Sequence, residues 1–93
     1  MADAQSHQLL IYEYVEDMAQ RRGPYREAHL ERIRAQRAAG KLVIAGALGN
    51  PPTGAALAFK GVEREEVEQF VHADPYFEAG LVTSFRIEPW NLV

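Results

Sequence analysis

Leu42-Val43-Ile44-Ala45-Gly46-Ala47-Leu48, then Gly49-Asn50-Pro51-Pro52-Thr53-Gly54, then Ala55-Ala56-Leu57-Ala58-Phe59-Lys60, is the stretch on which the fold turns. Two apolar runs of strand length flank a cluster of turn-forming residues, which is the pattern of a β-hairpin. Small side chains dominate it, at Ala45, Gly46, Ala47, Ala55, Ala56 and Ala58. Such a hairpin either lets a helix approach closely or leaves a cavity beneath one. The sequence leaves both alternatives open.

On the N-terminal side, Leu9-Leu10-Ile11-Tyr12-Glu13-Tyr14-Val15 alternates as a strand. Leu10, Tyr12 and Tyr14 share one face, and Leu9, Ile11 and Val15 the other. A polar connection begins at Glu16-Asp17. Pro24 then opens a helix, since its missing N–H has no helical partner in the first turn. The helix should run to about Ala39, with Gly40 as a left-handed cap. Leu30 and Ile33 centre its apolar stripe, with Ala28, Ala35 and Ala38 around them.

On the C-terminal side, Glu63, Glu65 and Glu66 suit the positive end of a second helix. Val67, Phe70 and Val71 form its buried face at i, i+3, i+4. Asp74-Pro75 stops it. Leu81 to Glu88 is a last strand, which Pro89 is expected to end, with Trp90 just beyond.

The order is therefore β-α-β-β-α-β. This is an α+β, ferredoxin-like split βαβ: a four-stranded antiparallel sheet with both helices on one face. The uncovered face would be apolar along either Leu9 and Ile11 or Leu10 and Tyr12, and a homodimer through that open sheet face is the expected way to bury it. Residues 1–7 are expected to be disordered and 8–93 to form a single domain.

Bulk properties exclude several functions. The 93-residue chain carries a net charge of −3, so no basic face for nucleic acid is expected. It has no cysteine, which removes disulfides, thiolate metal sites and thiol catalysis. Met1 to His7 does not read as a secretory signal, and no run approaches the ~20 apolar residues of a membrane span. A cytoplasmic setting and no membrane partner are expected. No metal-ligand spacing or phosphate loop occurs, so neither metal nor cofactor is expected.

Two short runs carry chemistry. In Arg22-Gly23-Pro24-Tyr25-Arg26-Glu27-Ala28-His29, helical spacing puts Arg22, Tyr25, Arg26 and His29 on one flank. In Asp74-Pro75-Tyr76-Phe77-Glu78, Asp74 reads as an N-cap followed by proline at the first helical position. Each has a structural reading: His29 as a helix-flank residue, Asp74 as a cap. A capping carboxylate can also turn its second oxygen to an imidazole, fixing the tautomer. A histidine titrates near neutrality, which suits proton transfer. His72, at the end of the second helix, reads as a cation at the negative end of its dipole.

The elements Arg26-x-x-His29-Leu30, Gly40-Lys41-Leu42…Ala45-Gly46, Asp74-Pro75-Tyr76 with Ala79-Gly80-Leu81, and Ile87-Glu88-Pro89-Trp90 together resemble the YCII-related (YciI-like) family. The resemblance runs from about Leu9 to Trp90. It implies a dimeric α+β barrel, with His29 and Asp74 as the family's His–Asp pair. The first expectation for function is a small acid–base enzyme of lyase, isomerase or dehydrohalogenase type, acting on a small anionic organic molecule. Arg26 and Arg22 would hold the anion, and Tyr12 or Tyr76 would line the pocket. The competing expectation is a non-catalytic small-metabolite-binding or accessory dimer module.

Overall fold

Period-two alternation decides which side of each strand is covered. In β1 (Ser6–Tyr14), Leu10 and Tyr12 are buried, while their neighbours Leu9 and Ile11 are only partly covered. The computed structural model describes residues 6–93. After β1 come α1 (Met18–Arg21), α2 (Gly23–Ala38), β2 (Leu42–Leu48), β3 (Gly54–Lys60), α3 (Arg64–His72), α4 (Pro75–Glu78) and β4 (Val82–Asn91). With α2 and α3 as the main helices, this is the β-α-β-β-α-β order.

The strands form one sheet in the order β2-β3-β1-β4, with every neighbouring pair antiparallel. Interleaving the strands of two βαβ units gives this order, the split βαβ arrangement. Register sorts the side chains. Leu10 pairs with Leu57 and Ile87, and Tyr12 with Ala55 and Phe85. This row meets the helices, whose buried residues include Ile33 of α2 and Val67, Phe70 and Val71 of α3. The opposite row joins Leu9 to Ala58 and Glu88, and Ile11 to Ala56 and Arg86. Among the described residues no helix lies over it.

Local sequence explains the boundaries. Pro24 sits in the first turn of α2, and Gly40 after its end has φ of 76°. An L side chain is strained there, so glycine is required. Gly54 is needed for a different reason: a Cβ would collide with the Tyr12 carbonyl. Its absence lets β3 lie close behind the site strand. Arg32 ties the helices together, with its guanidinium 4.3 Å over the Phe70 ring and an N–H donated to the Phe70 carbonyl at 2.8 Å.

Four expectations need correction. Ser6 and His7 belong to β1, paired with Asn91 and Trp90, rather than to a disordered leader; residues 1–5 of that expectation lie outside the described residues. The polar connection after β1 contains α1, which fully buries Met18. The buried stripe of α2 runs through His29 and Ile33, while Ala28, Ala35 and Ala38 are exposed. Finally, β4 does not stop at Pro89 but continues to Asn91. As an edge strand it has only β1 beside it, and an edge tolerates a residue without an N–H. Among the described residues, no helix is long and apolar enough to cross a membrane.

Leu10, with no exposed surface, lies at the centre of the helix-facing row. Leu10→Ala should therefore lower unfolding free energy by about 2–5 kcal/mol in urea titration. A loss under about 1 kcal/mol would contradict this placement of the core.

Candidate active site

Asp74 begins as a matter of local chain geometry. α3 ends at His72, Asp74 is extended (φ −72°, ψ 126°), and Pro75 opens α4. The Asp74 Oδ1 accepts the Tyr76 N–H at 3.0 Å, as an N-cap should. Tertiary structure then adds two more donors. The Tyr12 hydroxyl donates to Oδ2 at 2.7 Å, and His29 Nδ1 lies 2.9 Å from Oδ1 and 3.1 Å from Oδ2. The carboxylate is completely buried. Burying a charge is costly unless donors replace the lost water, and here three donors do so.

His29 reaches this carboxylate from α2, so the dyad joins segments 45 residues apart. Facing a carboxylate, Nδ1 carries the hydrogen and donates it. That leaves the lone pair on Nε2, the tautomer needed for a base. The His29 ring also stacks on Tyr76, with centroids 3.9 Å apart and planes within 11°. Bond and stack together fix the ring's orientation. Among the described residues nothing bonds Nε2, and no buried nitrogen or oxygen lacks a partner, so Nε2 is not sealed in.

It opens on a cavity of about 190 Å³ between α2 and the β2–β3 hairpin. Ala45, Gly46, Ala47 and Ala55 form the hairpin wall, and Leu30 and Ile33 the helix wall. The small residues of the hairpin thus leave a cavity, which settles the alternative the sequence left open. Arg22, half-buried, and Arg26, exposed, bring positive charge to the same cavity, and Tyr14 and Tyr76 complete its polar lining.

His29, Asp74, Arg22, Arg26 and Tyr76 are therefore brought together as the sequence suggests. Tyr12 is not in the cavity wall: it stands behind Asp74 as a donor. Tyr25 is 39% exposed and does not line the cavity. His72 ends α3 as expected, and its ring packs edge-on against Phe77 and Phe85, apart from the dyad. Sequence reasoning missed Tyr14 as a site residue. The signal was present in its shared strand face with Tyr12.

The chain also matches a known family pattern. That of the YCII-related domain covers residues 7–91. The chain belongs to the YCII-related domain family. Among solved structures it is similar to 5-chloro-2-hydroxyhydroquinone dehydrochlorinase (TftG) from Burkholderia phenoliruptrix AC1100, in complex with 2,5-dihydroxybenzoquinone. The TM-score is 0.76 at 25% identity, over 90% of this chain and 92% of that one. A search of curated proteins gave no significant match. The YCII assignment and this neighbour agree with the four-stranded antiparallel α+β architecture described above.

Electrostatics set the state of the phenols. Burial, reinforced by the Asp74 charge, pushes the Tyr12 hydroxyl far above its ordinary range, so it keeps its proton and donates it to Asp74. Burial also raises Tyr14, helped by Tyr76 and Asp74 and opposed by Arg22. Tyr76 is raised by burial, against the pull of Arg22 and Arg26. A phenol raised by folding contributes its full stability below about pH 10, and that contribution is lost as pH climbs above this value. In an alkaline titration, phenolate absorbance from Tyr12, Tyr14 and Tyr76 should therefore emerge only together with loss of circular dichroism. Ionisation of three phenols near pH ~10 with the fold intact would refute this electrostatic picture.

Proposed function

We propose that this protein is a small acid–base enzyme acting on a small anionic organic molecule, of lyase, isomerase or dehydrohalogenase type. The observation that carries the reading is the pairing of a buried carboxylate on Nδ1 with an Nε2 open to an arginine-lined cavity. In this reading Arg22 and Arg26 hold the anionic group, for which a planar guanidinium fork is suited. His29 Nε2 takes a proton from the bound molecule. Asp74 keeps the ring in the required tautomer and stabilises the imidazolium that forms. Tyr12 and the Tyr76 N–H hold Asp74 in place, and the Tyr76 ring holds His29. The protonated ring then returns its proton at another atom, or a leaving group departs with the electron pair.

Size narrows the ligand. At about 190 Å³ the cavity is smaller than the ~300–1,000 Å³ of sites for drug-sized ligands, so it suits a single small ring or a short chain. The neighbour described as a dehydrochlorinase, with a dihydroxybenzoquinone bound, makes a chlorinated hydroxylated ring the first class to test.

The open sheet face supports self-association. Ile44 is 63% exposed there, and Leu9, Ile11, Leu48 and Trp90 surround the same shallow apolar hollow. A second copy laid face to face would bury this patch, and homodimers are the commonest closed assembly.

Two measurements test these readings. Against chlorinated hydroxyhydroquinones, read by chloride release and mass spectrometry, His29→Gln should lower turnover by about 10²–10⁴-fold. Glutamine keeps a donor for Asp74, so folding is spared; full turnover in this variant would remove His29 as the base. Saturable binding without any product would instead leave a metabolite-binding module. In sedimentation, the wild type should run at twice the chain mass and Ile44→Glu at the chain mass. A monomeric wild type would refute the homodimer.

A further inference from the structure

Tyr14 is the polar group of the cavity that the dyad and the arginines leave unused. It follows Tyr12 by two residues on β1 and so faces the same side of the sheet. It lines the cavity with His29, Arg22 and Arg26. Its ring meets Tyr76 edge-on at 5.9 Å and 89°, and Tyr76 in turn stacks on His29. These two packed rings place Tyr14 beside the base and fix where it stands.

Its hydroxyl has no hydrogen-bond partner among the described residues. The side chain is half-buried, yet it contributes no sealed, unsatisfied oxygen. The hydroxyl therefore keeps exposed surface, and its side chain lines the cavity. Tyr12 and the Tyr76 N–H are committed to Asp74, and the Tyr76 hydroxyl is engaged with Arg26. Burial keeps the Tyr14 proton in place at neutral pH. A fixed O–H donor without a protein acceptor suits an oxygen of the ligand.

We propose that Tyr14 donates a hydrogen bond to the ligand oxygen that becomes negative when His29 removes a proton, and that the ligand is accordingly an enolisable carbonyl compound carrying a second, anionic oxygen group. This deepens the acid–base reading above and rests on it. In the step, a C–H bond next to the carbonyl breaks and its proton moves to Nε2. The electron pair shifts into the carbon–carbon bond, and the carbonyl π pair moves to oxygen, giving an enolate. Tyr14 keeps its proton and holds that oxygen, while Arg22 and Arg26 hold the other anionic group. Donors aimed at developing charge in a site shielded from water stabilise the transition state more than the ground state.

The test uses ring-substituted phenolates of similar shape and graded basicity as stable mimics of the enolate, titrated by calorimetry. Wild-type affinity should rise with phenolate basicity. Tyr14→Phe should lower affinity about 10- to 100-fold for the most basic phenolate and flatten the trend, as expected for a lost bond to a charged acceptor. Its thermal midpoint should hold, because no protein bond is removed. Arg26→Gln should weaken the whole series evenly. If Tyr14→Phe binds like the wild type while Arg26→Gln is weakened, the role of Tyr14 is overturned and the anion site stands. If the wild type binds no phenolate, both the Tyr14 proposal and the site reading fall.

Discussion

A carboxylate sealed from water has to be held by its neighbours, and Asp74 obliges three parts of this chain to meet. Its own backbone turn supplies the Tyr76 N–H at 3.0 Å, β1 supplies the Tyr12 hydroxyl at 2.7 Å, and α2 supplies His29 Nδ1 at 2.9 Å. Each donor comes from a different element, so the bond set fixes how α2, α4 and β1 sit relative to one another. Removing one donor would leave a buried charge with fewer bonds in place of its lost water, which costs more than the bond contributes when made. The same carboxylate that organises this end of the domain also gives His29 its tautomer. On the proposed reading, structure and chemistry share one group.

The cavity follows from a second constraint, the lack of volume on the hairpin. A helix over a sheet normally fills the gap with Leu, Ile, Val or Phe at native density. Here β2 presents Ala45 and Ala47 toward α2 in register with Leu57 and Ala55. The helix offers only His29 and Ile33 as buried residues. The two thin surfaces do not close on each other, and the space between them becomes the site. α3 is packed conventionally, with Val67, Phe70 and Val71 buried and Phe59 set against Phe70 at 5.3 Å. The two halves of the domain divide the work: α3 supplies apolar packing, and α2 borders open space.

How much was legible in the sequence depends on range. Local features read correctly: the hairpin, the cap at Asp74, the glycine after α2 and the buried face of α3. The placement of His29 and Asp74 in one site followed from element order together with the family resemblance. The errors have physical causes. The α2 stripe was read from apolar residues alone, so Ala28 stood in for His29. A histidine paired with a buried carboxylate occupies a core position that no hydropathy pattern assigns to it. Pro89 reads as a terminator, although on an edge strand its missing N–H costs little. The role of Tyr12 was out of reach because its partner lies 62 residues away. Strand alternation gives a face, not the atom across it.

The arrangement of rings and charges bears on why a dyad should sit at this depth. An imidazole at the surface would be free to rotate, and a carboxylate beside it would be screened by water. In this fold the ring is fixed by the stack on Tyr76 and by Asp74, and the carboxylate behind it is fully dehydrated. Positive charge formed on His29 during proton transfer would then meet a negative group that is already in place and needs no reorganisation, the condition under which electrostatic stabilisation is most effective. Arg22 and Arg26 sit on the cavity side, where an anionic ligand would offset the repulsion they exert on that imidazolium.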